Sequence, residues 1–381
     1  MIALYDVYSL FDIEPVKAAG SYVYDAEGTE YLDFYGGHAV ISIGHSHPHY
    51  VKRMKDQIDK MVFYSNSVKN SLQQDFCKLL EEASGLKNYD LFFCNSGAEA
   101  NENALKLASF HNGRTKVLSL KKGFHGRTSA AVNSTDSQKI IAPINKGFDV
   151  KYHHITDEES MHQDIMTEEY CAVIIEAIQG IGGIHEVPDD YLNRIMIACE
   201  KTDTVFIADE VQAGYARSGD FFSFQRSGIR PDVISMAKGM GNGFPIGGVL
   251  INSGKIPAWK GMLGSTFGGS HLACAAGSAV LEVIIEEGLQ THAAGMGEYI
   301  MKQLEVMDRI SEVRGRGLMI GLQFDKAIAE LRSHMLYKHK IFTGSSSDKN
   351  VMRLLPPLII NRAQADHFID SLRASITEIN F

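Results

Sequence analysis

The chain has 381 residues, of which 45% are hydrophobic and 22% are charged, and its formal net charge is −9. This length suits one large domain and a smaller one, and the composition is that of a globular protein with a sizeable core. The negative net charge argues against a nucleic-acid-binding protein, since such proteins present a strongly basic face.

The cysteine pattern and the length of the apolar runs indicate the cellular compartment in which the protein is expected. The five cysteines are scattered and form no Cys-x-x-Cys pair, which argues against a disulfide framework and a zinc knuckle. The first residues show no basic, apolar leader, and no apolar run reaches the roughly 18 residues of a membrane span. We therefore expect a cytoplasmic protein without a membrane segment.

The first third of the chain begins with strand patterns and continues with helical ones. Alternating residues around an Asp-Ala-Glu-Gly turn predict a β-hairpin over 22–35, and apolar spacing predicts core-facing helices over 50–86. Between them His45, His47 and His49 alternate. A zinc site needs three or four converging ligands, and Pro48 interrupts this run, so we predict no metal site there.

A strand pattern that starts at Leu91 breaks at Asn-Ser-Gly into an alanine-rich helix. Free N–H groups at such a helix start, with the positive end of the helix dipole, can hold a phosphate. An ordinary serine or asparagine cap gives the same pattern, so both interpretations stand at this point.

The probable strand 116–120 is followed by Phe124 and Arg127. The ring could stack on a planar cofactor and the guanidinium could bind a carboxylate in bidentate fashion. A core phenylalanine and a solvated arginine are the alternative.

The polar stretch 150–170 is interpreted as a surface connection.

Two buried strand patterns follow, and each ends in a carboxylate. The first ends at Glu176 and the second at Asp209, with a helical pattern over 190–201 between them. Strands that alternate with helices imply a mainly parallel sheet, whose ligands bind at the carboxyl ends of the strands.

The apolar run 233–237 delivers Lys238 into a loop with glycines at 239, 241 and 243. A lysine at a strand end can simply reach solvent. Together with the strand-end Asp209, however, it is typical of pyridoxal phosphate sites, in which a lysine binds the cofactor and an acid pairs with its ring nitrogen.

The last third offers one more phosphate candidate and one buried charge. Residues 264–270 supply hydroxyls and glycines before a long helix predicted over 272–287. The glycines at 315 and 317 precede a strand pattern instead of opening a helix, which excludes a dinucleotide fingerprint. Arg353 lies in an apolar, proline-stopped segment, where an arginine needs an anionic partner.

Five segments together resemble the class-III, ornithine-type aminotransferases of pyridoxal-phosphate fold type I. The resemblance covers nearly the whole chain, and its order and spacing are most similar to the branch that acts on N2-acetylornithine in arginine biosynthesis. The segments are 95–101 (Asn-Ser-Gly-Ala-Glu-Ala-Asn), 124–127 (Phe-His-Gly-Arg), 209–212 (Asp-Glu-Val-Gln), 238–239 (Lys-Gly) and 266–269 (Thr-Phe-Gly-Gly).

This resemblance implies an α/β fold with two unequal parts. A large domain over 51–290 would have a mainly parallel central sheet flanked by helices. A smaller α+β domain would combine the N-terminal segment 1–50 with the C-terminal part 291–381. The enzymes it resembles are homodimers with shared sites.

The resemblance also implies roles for named residues. Lys238 would be the catalytic lysine that carries the cofactor and moves the proton, Asp209 would pair with the ring nitrogen, and Gln212 would approach the ring hydroxyl. Phe124 would stack on the ring. The other cofactor contacts implied are Ser96, Gly97, Ala98, His125, Glu176 and, from the neighbouring subunit, Thr266.

The implied reaction transfers the terminal amine of N2-acetylornithine or N2-succinylornithine to 2-oxoglutarate, giving the N-acyl-glutamate semialdehyde and glutamate. Arg127 would bind the substrate carboxylate remote from the reacting amine and Arg353 the α-carboxylate of glutamate or 2-oxoglutarate, with Tyr35 and Ser265 as further substrate contacts. Free ornithine, 4-aminobutyrate or another ω-amine are the alternative substrates, and an aminomutase or racemase of the same fold is a more distant alternative.

Two positions depart from the family pattern. Ile181 stands where the family typically has a glutamate that masks the Arg353-type arginine, and Ser270-His271 stands where Asn-Pro is common. An isoleucine in the pocket would make its wall more apolar, which leads to the hypothesis of a bulkier acyl group such as succinyl.

Overall fold

The computed structural model describes residues 2–381. Its strands are β1 Pro15–Ala19, β2 Tyr22–Asp25, β3 Glu30–Asp33, β4 Asp90–Cys94, β5 Lys116–Leu120, β6 Val150–His153, β7 Tyr170–Ile175, β8 Ile178–Gln179, β9 His185–Glu186, β10 Val205–Asp209, β11 Val233–Met236, β12 Gly247–Ile251, β13 Ile310–Arg316, β14 Met319–Phe324, β15 Ile341–Phe342, β16 Gly344–Ser345 and β17 Val351–Leu354. Its α-helices are α1 Gly36–Ala39, α2 Pro48–Ile58, α3 Ser71–Ser84, α4 Gly97–Asn112, α5 Ser129–Asn133, α6 Glu158–Ile165, α7 Asp189–Thr202, α8 His271–Glu286, α9 Leu289–Leu304, α10 Ala329–Tyr337 and α11 Arg362–Glu378.

The central sheet has seven strands in the order β4-β12-β11-β10-β7-β5-β6. Strands β11, β10, β7, β5 and β6 pair in parallel, and β12 is antiparallel to both of its neighbours. Every residue of β7 and β10 is buried, as expected for parallel strands covered on both faces. Helix α4 packs across β7, β10, β11 and β12, and α7 packs on β10. The prediction of a mainly parallel α/β sheet is confirmed.

Besides the central sheet there are two four-stranded sheets and the antiparallel pair β8–β9. The predicted hairpin is confirmed as the antiparallel pair β2 and β3, and β15 from the C-terminal part adds to β3 in parallel. The second sheet has the order β13-β14-β17-β16, and its strands are antiparallel. The N-terminal strands are thus tied to a C-terminal strand, while the boundaries at 50 and 290 stay a prediction.

One local prediction was wrong. The polar stretch 150–170 is not a plain surface connection, because it contains the edge strand β6 and the helix α6. An edge strand pairs on one side only, so polar side chains suit it and hide its pattern. The strand predicted after the glycines at 315 and 317 is confirmed as β14, and Gly315 itself lies in the preceding strand β13.

No helix within residues 2–381 combines the length and apolarity that crossing a bilayer requires.

Candidate active site

Two adjoining cavities, of about 380 and 370 Å³, open beside the loops that follow the parallel strands. Parallel strands place their carboxyl ends at one edge, so segments that are far apart in sequence meet there. Both cavities are lined by Val40, Phe124, Arg127, Asp209, Val211 and Lys238.

Lys238 lies two residues beyond β11 and begins a short 3-10 helix. Its backbone has φ +48°, a left-handed conformation that turns the chain sharply at this point. Desolvation lowers the pKa of the Lys238 ammonium, against the opposing effect of the Asp209 and Glu176 carboxylates. A lysine with a lowered pKa can act as a base nearer neutrality than a solvated one.

Asp209 ends β10 and is 3% exposed. Its Oδ2 lies 2.7 Å from His125 Nδ1 and accepts a hydrogen bond from Asn101 Nδ2, also at 2.7 Å. Its Oδ1 accepts from the Val211 backbone N–H at 3.0 Å. A carboxylate has about four acceptor positions, so this arrangement fixes its orientation and leaves capacity for a further donor in the cavity.

Both ring nitrogens of His125 have partners, Nδ1 at Asp209 and Nε2 at Ser119. Its Nε2 lies 3.2 Å from Ser119 Oγ, and its backbone oxygen accepts from Asn101 Nδ2 at 2.7 Å. The buried ring therefore connects the carboxylate to β5.

The start of α4 forms one wall of the cavity. Ser96 is its N-cap, and Ser96 Oγ accepts from the Glu99 N–H at 3.2 Å, so the cap interpretation is correct. Gly97 and Ala98 also line the cavity. A Cβ at Gly97 would come within 2.5 Å of Val211 Cγ1, so the helix start approaches the Asp209 loop more closely than another residue would allow. Capping and anion binding use different N–H groups and are compatible.

Glu176 follows β7 and ties two loops together. Its Oε1 accepts from the Phe124 N–H at 2.8 Å and its Oε2 from the Gly180 N–H at 3.0 Å, while burial raises its pKa. A Cβ at Gly180 would lie 1.9 Å from Gln212 Oε1, so the glycine makes room for that amide. Gln212 donates from Nε2 to the His38 carbonyl at 3.0 Å.

Arg353, in β17, is 1% exposed. It donates from Nη1 to Gln212 Oε1 at 3.2 Å and from Nε to the Ser345 carbonyl at 2.6 Å. Both partners are neutral, and burial lowers its pKa to about 10. A buried guanidinium with neutral partners favours an anionic ligand.

Tyr35 stands next to this arginine. A Cβ at Gly344 would lie 3.1 Å from Tyr35 Cδ2 and 3.3 Å from Arg353 Cβ, so the two side chains pack over the same glycine. The Tyr35 hydroxyl lies 2.6 Å from a ring nitrogen of His38.

The remaining predicted residues are half-buried or exposed. Arg127 is exposed and lines both cavities, and Ile181 lines one of them. Ser265 Oγ accepts from Asn95 Nδ2 at 3.3 Å and from the Gly268 N–H at 2.9 Å. Thr266 is exposed on the surface of its own chain.

The alternating histidines do not converge. His45 Nε2 lies 2.8 Å from Asp33, His47 Nε2 lies 3.0 Å from Glu287, and His49 Nε2 lies 2.5 Å from Glu282. Each ring has its own carboxylate partner, so each is explained as a local ion pair or hydrogen bond.

Asn101 belongs to the segment 95–101, but the sequence pattern alone assigns it no role. In the structure its amide binds both Asp209 and the His125 carbonyl. Helical spacing was the available signal, because Asn101 lies four residues after Gly97 and so faces the same side of α4.

A family model described as Aminotransferase class-III matches residues 6–376. The chain belongs to the class-III aminotransferases. Family membership confirms the prediction of a pyridoxal-phosphate-dependent aminotransferase.

Individual relatives agree with this assignment. This aminotransferase is 38% identical to the acetylornithine aminotransferase of Caldanaerobacter subterraneus subsp. tengcongensis, over 99% of this chain and 98% of the relative. Among solved structures it is similar to the acetylornithine aminotransferase of Elizabethkingia anophelis, with a TM-score of 0.85 at 27% identity, covering 98% of this chain and 96% of that chain. It is also similar to the ornithine aminotransferase of Toxoplasma gondii, with a TM-score of 0.90 at 27% identity. That match covers 98% of this chain and 92% of that chain. That parasite structure has partial occupancy of pyridoxal phosphate at its active site.

The residues of this class-III aminotransferase fit that cofactor. A lysine with a lowered pKa, an anchored carboxylate and a helix start share one cavity, as the aldehyde, ring nitrogen and phosphate of pyridoxal phosphate require. The individual roles assigned from the sequence stay predictions.

Proposed function

We propose that this aminotransferase transfers the terminal amine of N2-acetylornithine or N2-succinylornithine to 2-oxoglutarate, producing the N-acyl-glutamate semialdehyde and glutamate in arginine biosynthesis. One observation carries the proposal: Lys238 shares its cavity with the exposed Arg127 and with Gln212, which binds the buried Arg353. Two guanidinium groups near a single amine suit substrates with one or two carboxylates. The similarity to acetylornithine aminotransferases over nearly the whole chain supports the same substrate class.

Pyridoxal phosphate, when bound, supplies an electron-withdrawing ring that stabilises negative charge at the substrate carbon. Lys238 would hold the cofactor through Nζ, and its amine, freed when the substrate amine takes its place, would accept the proton from that carbon. Asp209, oriented by His125 and Asn101, would keep the ring nitrogen protonated. Phe124, whose backbone N–H is fixed by Glu176, would stack on the ring.

Substrate binding follows from the two arginines. Arg353 takes the α-carboxylate of glutamate or 2-oxoglutarate, beside Tyr35, and Arg127 at the mouth takes the carboxylate of the acylated ornithine. Gln212 Oε1 is a neutral acceptor, so a substrate carboxylate competes with it for Arg353 without displacing another charge. With Ile181 in the cavity wall, no carboxylate at that position competes with the incoming oxo acid.

We further propose that the enzyme is a cytoplasmic homodimer. The exposed position of Thr266 and the exposed apolar side chains around it support a shared site in which Thr266 reaches the phosphate bound by the partner subunit. The five cysteines are all free thiols, which suits a reducing compartment.

Free ornithine is the second candidate substrate. The similarity to the Toxoplasma gondii ornithine aminotransferase, at a TM-score of 0.90, supports it.

The test measures glutamate formed from 2-oxoglutarate by the purified holoenzyme with N-acetylornithine, N-succinylornithine, ornithine or 4-aminobutyrate. We expect the two acylated substrates to give the highest kcat/KM, with succinyl preferred if the Ile181 hypothesis is correct. Equal or better turnover of the acetyl compound would contradict that preference, and a higher kcat/KM for ornithine would replace the main proposal with the second candidate.

Lys238→Ala supplies the catalytic control. Loss of the proton carrier should lower turnover by about 10²–10⁴-fold or more. The matched variant Lys201→Ala, at the exposed C-terminal turn of α7, should keep full activity. A Lys238→Ala protein with undiminished turnover would refute the assignment of the site.

A further inference from the structure

A cluster of two histidines and one glutamate joins the last two helices of the chain, away from the residues that line the active-site cavities. His334 lies on α10, His339 lies just beyond it, and Glu378 ends α11. One ligand atom from each residue lies within 4.8 Å of the others. His334 Nε2 is 3.3 Å and His339 Nε2 is 3.8 Å from Glu378 Oε2.

A hydrogen bond with Ser375 fixes the orientation of the His334 ring. Ser375 Oγ donates to Met335 Sδ at 3.2 Å, so it is available to accept from His334 Nδ1 at 3.0 Å. This hydrogen bond places the proton of a neutral ring on Nδ1 and leaves a lone pair on Nε2. A lone pair that faces a carboxylate is stabilised only when a cation or a proton lies between them. A hydrogen bond from a neighbouring group to the second nitrogen is also the usual support of a metal-binding histidine.

The second histidine points into the same space. Within residues 2–381, His339 Nε2 is buried and has no hydrogen-bond partner. The two imidazole rings are 5.4 Å apart between centroids and inclined at 56°, so they approach Glu378 from different directions. The Glu378 side chain is 45% exposed, which gives an ion and its completing water access from solvent.

We propose that His334, His339 and Glu378 bind a divalent transition-metal ion of the zinc class, with water completing the coordination. Nitrogen and oxygen ligands at about 2.0–2.2 Å from tetrahedral zinc lie about 3.3 Å from one another. The observed separations from Glu378 Oε2 are 3.3 and 3.8 Å, and all three ligand atoms lie within 4.8 Å of one another, so binding would draw the His339 side chain inward. Two imidazoles and one carboxylate form a ligand set that favours zinc over calcium or magnesium.

The ion would connect three segments of the C-terminal part. It would join α10, the turn to β15 and the end of α11, and β15 pairs with β3 of the N-terminal sheet. A ligand that binds only the folded state stabilises it, so the site would act on stability and leave the rate of transamination unchanged.

The experiment uses the holoenzyme after treatment with a chelator and exhaustive dialysis. Zinc chloride is titrated by calorimetry, and thermal unfolding is recorded with and without zinc. We expect one strong site per chain and a higher unfolding temperature with zinc. His339→Gln and Glu378→Gln should each weaken this binding at least tenfold and remove the thermal shift, while transaminase activity without zinc stays at the wild-type level.

Two further variants separate the site from incidental binding. His154→Gln removes an exposed histidine elsewhere and should bind zinc as the wild type does. Ser375→Ala keeps all three ligands but removes the support of His334, and should weaken binding by about 10- to 100-fold. The proposal is overturned if the wild type shows no zinc site, or if His339→Gln and Glu378→Gln bind zinc as tightly as the wild type does.

Discussion

At the scale of single residues, the chemistry depends on how one carboxylate is held. Asp209 is almost fully buried, and a buried carboxylate is stable only when hydrogen bonds compensate for its lost solvation. His125, Asn101 and the Val211 N–H provide those bonds. The carboxylate is thus preorganised for a cationic partner before the cofactor binds.

Asn101→Ala tests this arrangement. The variant removes a charge-assisted hydrogen bond worth about 1.5–3 kcal/mol, so we expect pyridoxal phosphate to bind about 10- to 100-fold more weakly. The measurement is the cofactor dissociation constant, with urea unfolding of the cofactor-free protein as a separate readout.

Asn103→Ala is the matched control, because the Asn103 amide donates its hydrogen bond to the Glu99 carbonyl of the same helix, at 2.8 Å. It should leave cofactor affinity unchanged. An Asn101→Ala protein that binds the cofactor normally would show that the amide is a packing feature only.

At the scale of elements, the β8–β9 hairpin carries Ile181 to the cavity and is held from outside by cations. Lys122 Nζ lies 3.1 Å from His185 Nε2 and Arg314 Nε donates to the Gly183 carbonyl at 2.8 Å. Burial, with Arg314 and Lys122 nearby, lowers the pKa of His185 from 6.5 to about 4. The neutral imidazole accepts a hydrogen bond from Lys122, which the protonated ring cannot do.

A pH dependence of stability follows from this shift. Between pH 6.5 and about 4 the unfolded chain binds a proton at His185 that the folded chain does not, so His185 lowers the stability as the pH falls through this window. We expect the urea midpoint of the wild type to drop more between pH 7 and pH 5 than that of His185→Gln, whose amide oxygen still accepts from Lys122. His154→Gln, at an exposed position, should behave as the wild type. Equal drops in the wild type and in His185→Gln would contradict the prediction.

At the scale of the whole molecule, an exposed apolar patch lies beside Thr266. Segment 61–68 packs along segment 265–272, with the Phe63 and Phe267 rings 5.3 Å apart between centroids and the Asn66 amide bound to the Ser265 carbonyl at 3.1 Å. The exposed members of this patch are Met61, Val62, Phe63, Tyr64, Val68 and Phe267. A patch of this kind marks a protein interface more often than a free surface.

Phe267→Asp tests the proposed homodimer. A charge in place of an aromatic ring that is 60% exposed in the isolated chain should weaken subunit association about tenfold or more, and cofactor affinity should fall with it. Analytical ultracentrifugation over a range of concentrations measures the association. Val306→Asp, at a position that is 81% exposed elsewhere on the surface, should leave the assembly intact. A monomeric wild type would contradict the proposal directly.

The sequence alone was sufficient for the sheet and the chemical type of the site. Buried strands such as 205–209 are continuous apolar runs in the sequence, because both faces of the sheet are covered. The residues that follow parallel strands lie at the same edge of the sheet, independently of the conformation of the loops. The resemblance of the five motifs then predicted the family. The polar edge strand β6 escaped detection, because its stability comes from pairing with β5 and not from its own pattern.

Only the tertiary structure showed which side chains bind to one another in the site. The partners of Asp209 and Arg353 come from segments more than a hundred residues away in two cases, Asn101 and Gln212, and no local pattern encodes such distances. The same holds for His334, His339 and Glu378, which only the packing of α10 against α11 brings together. Local sequence favours the backbone conformation of most elements, whereas the contacts between distant elements depend on how the complete core packs.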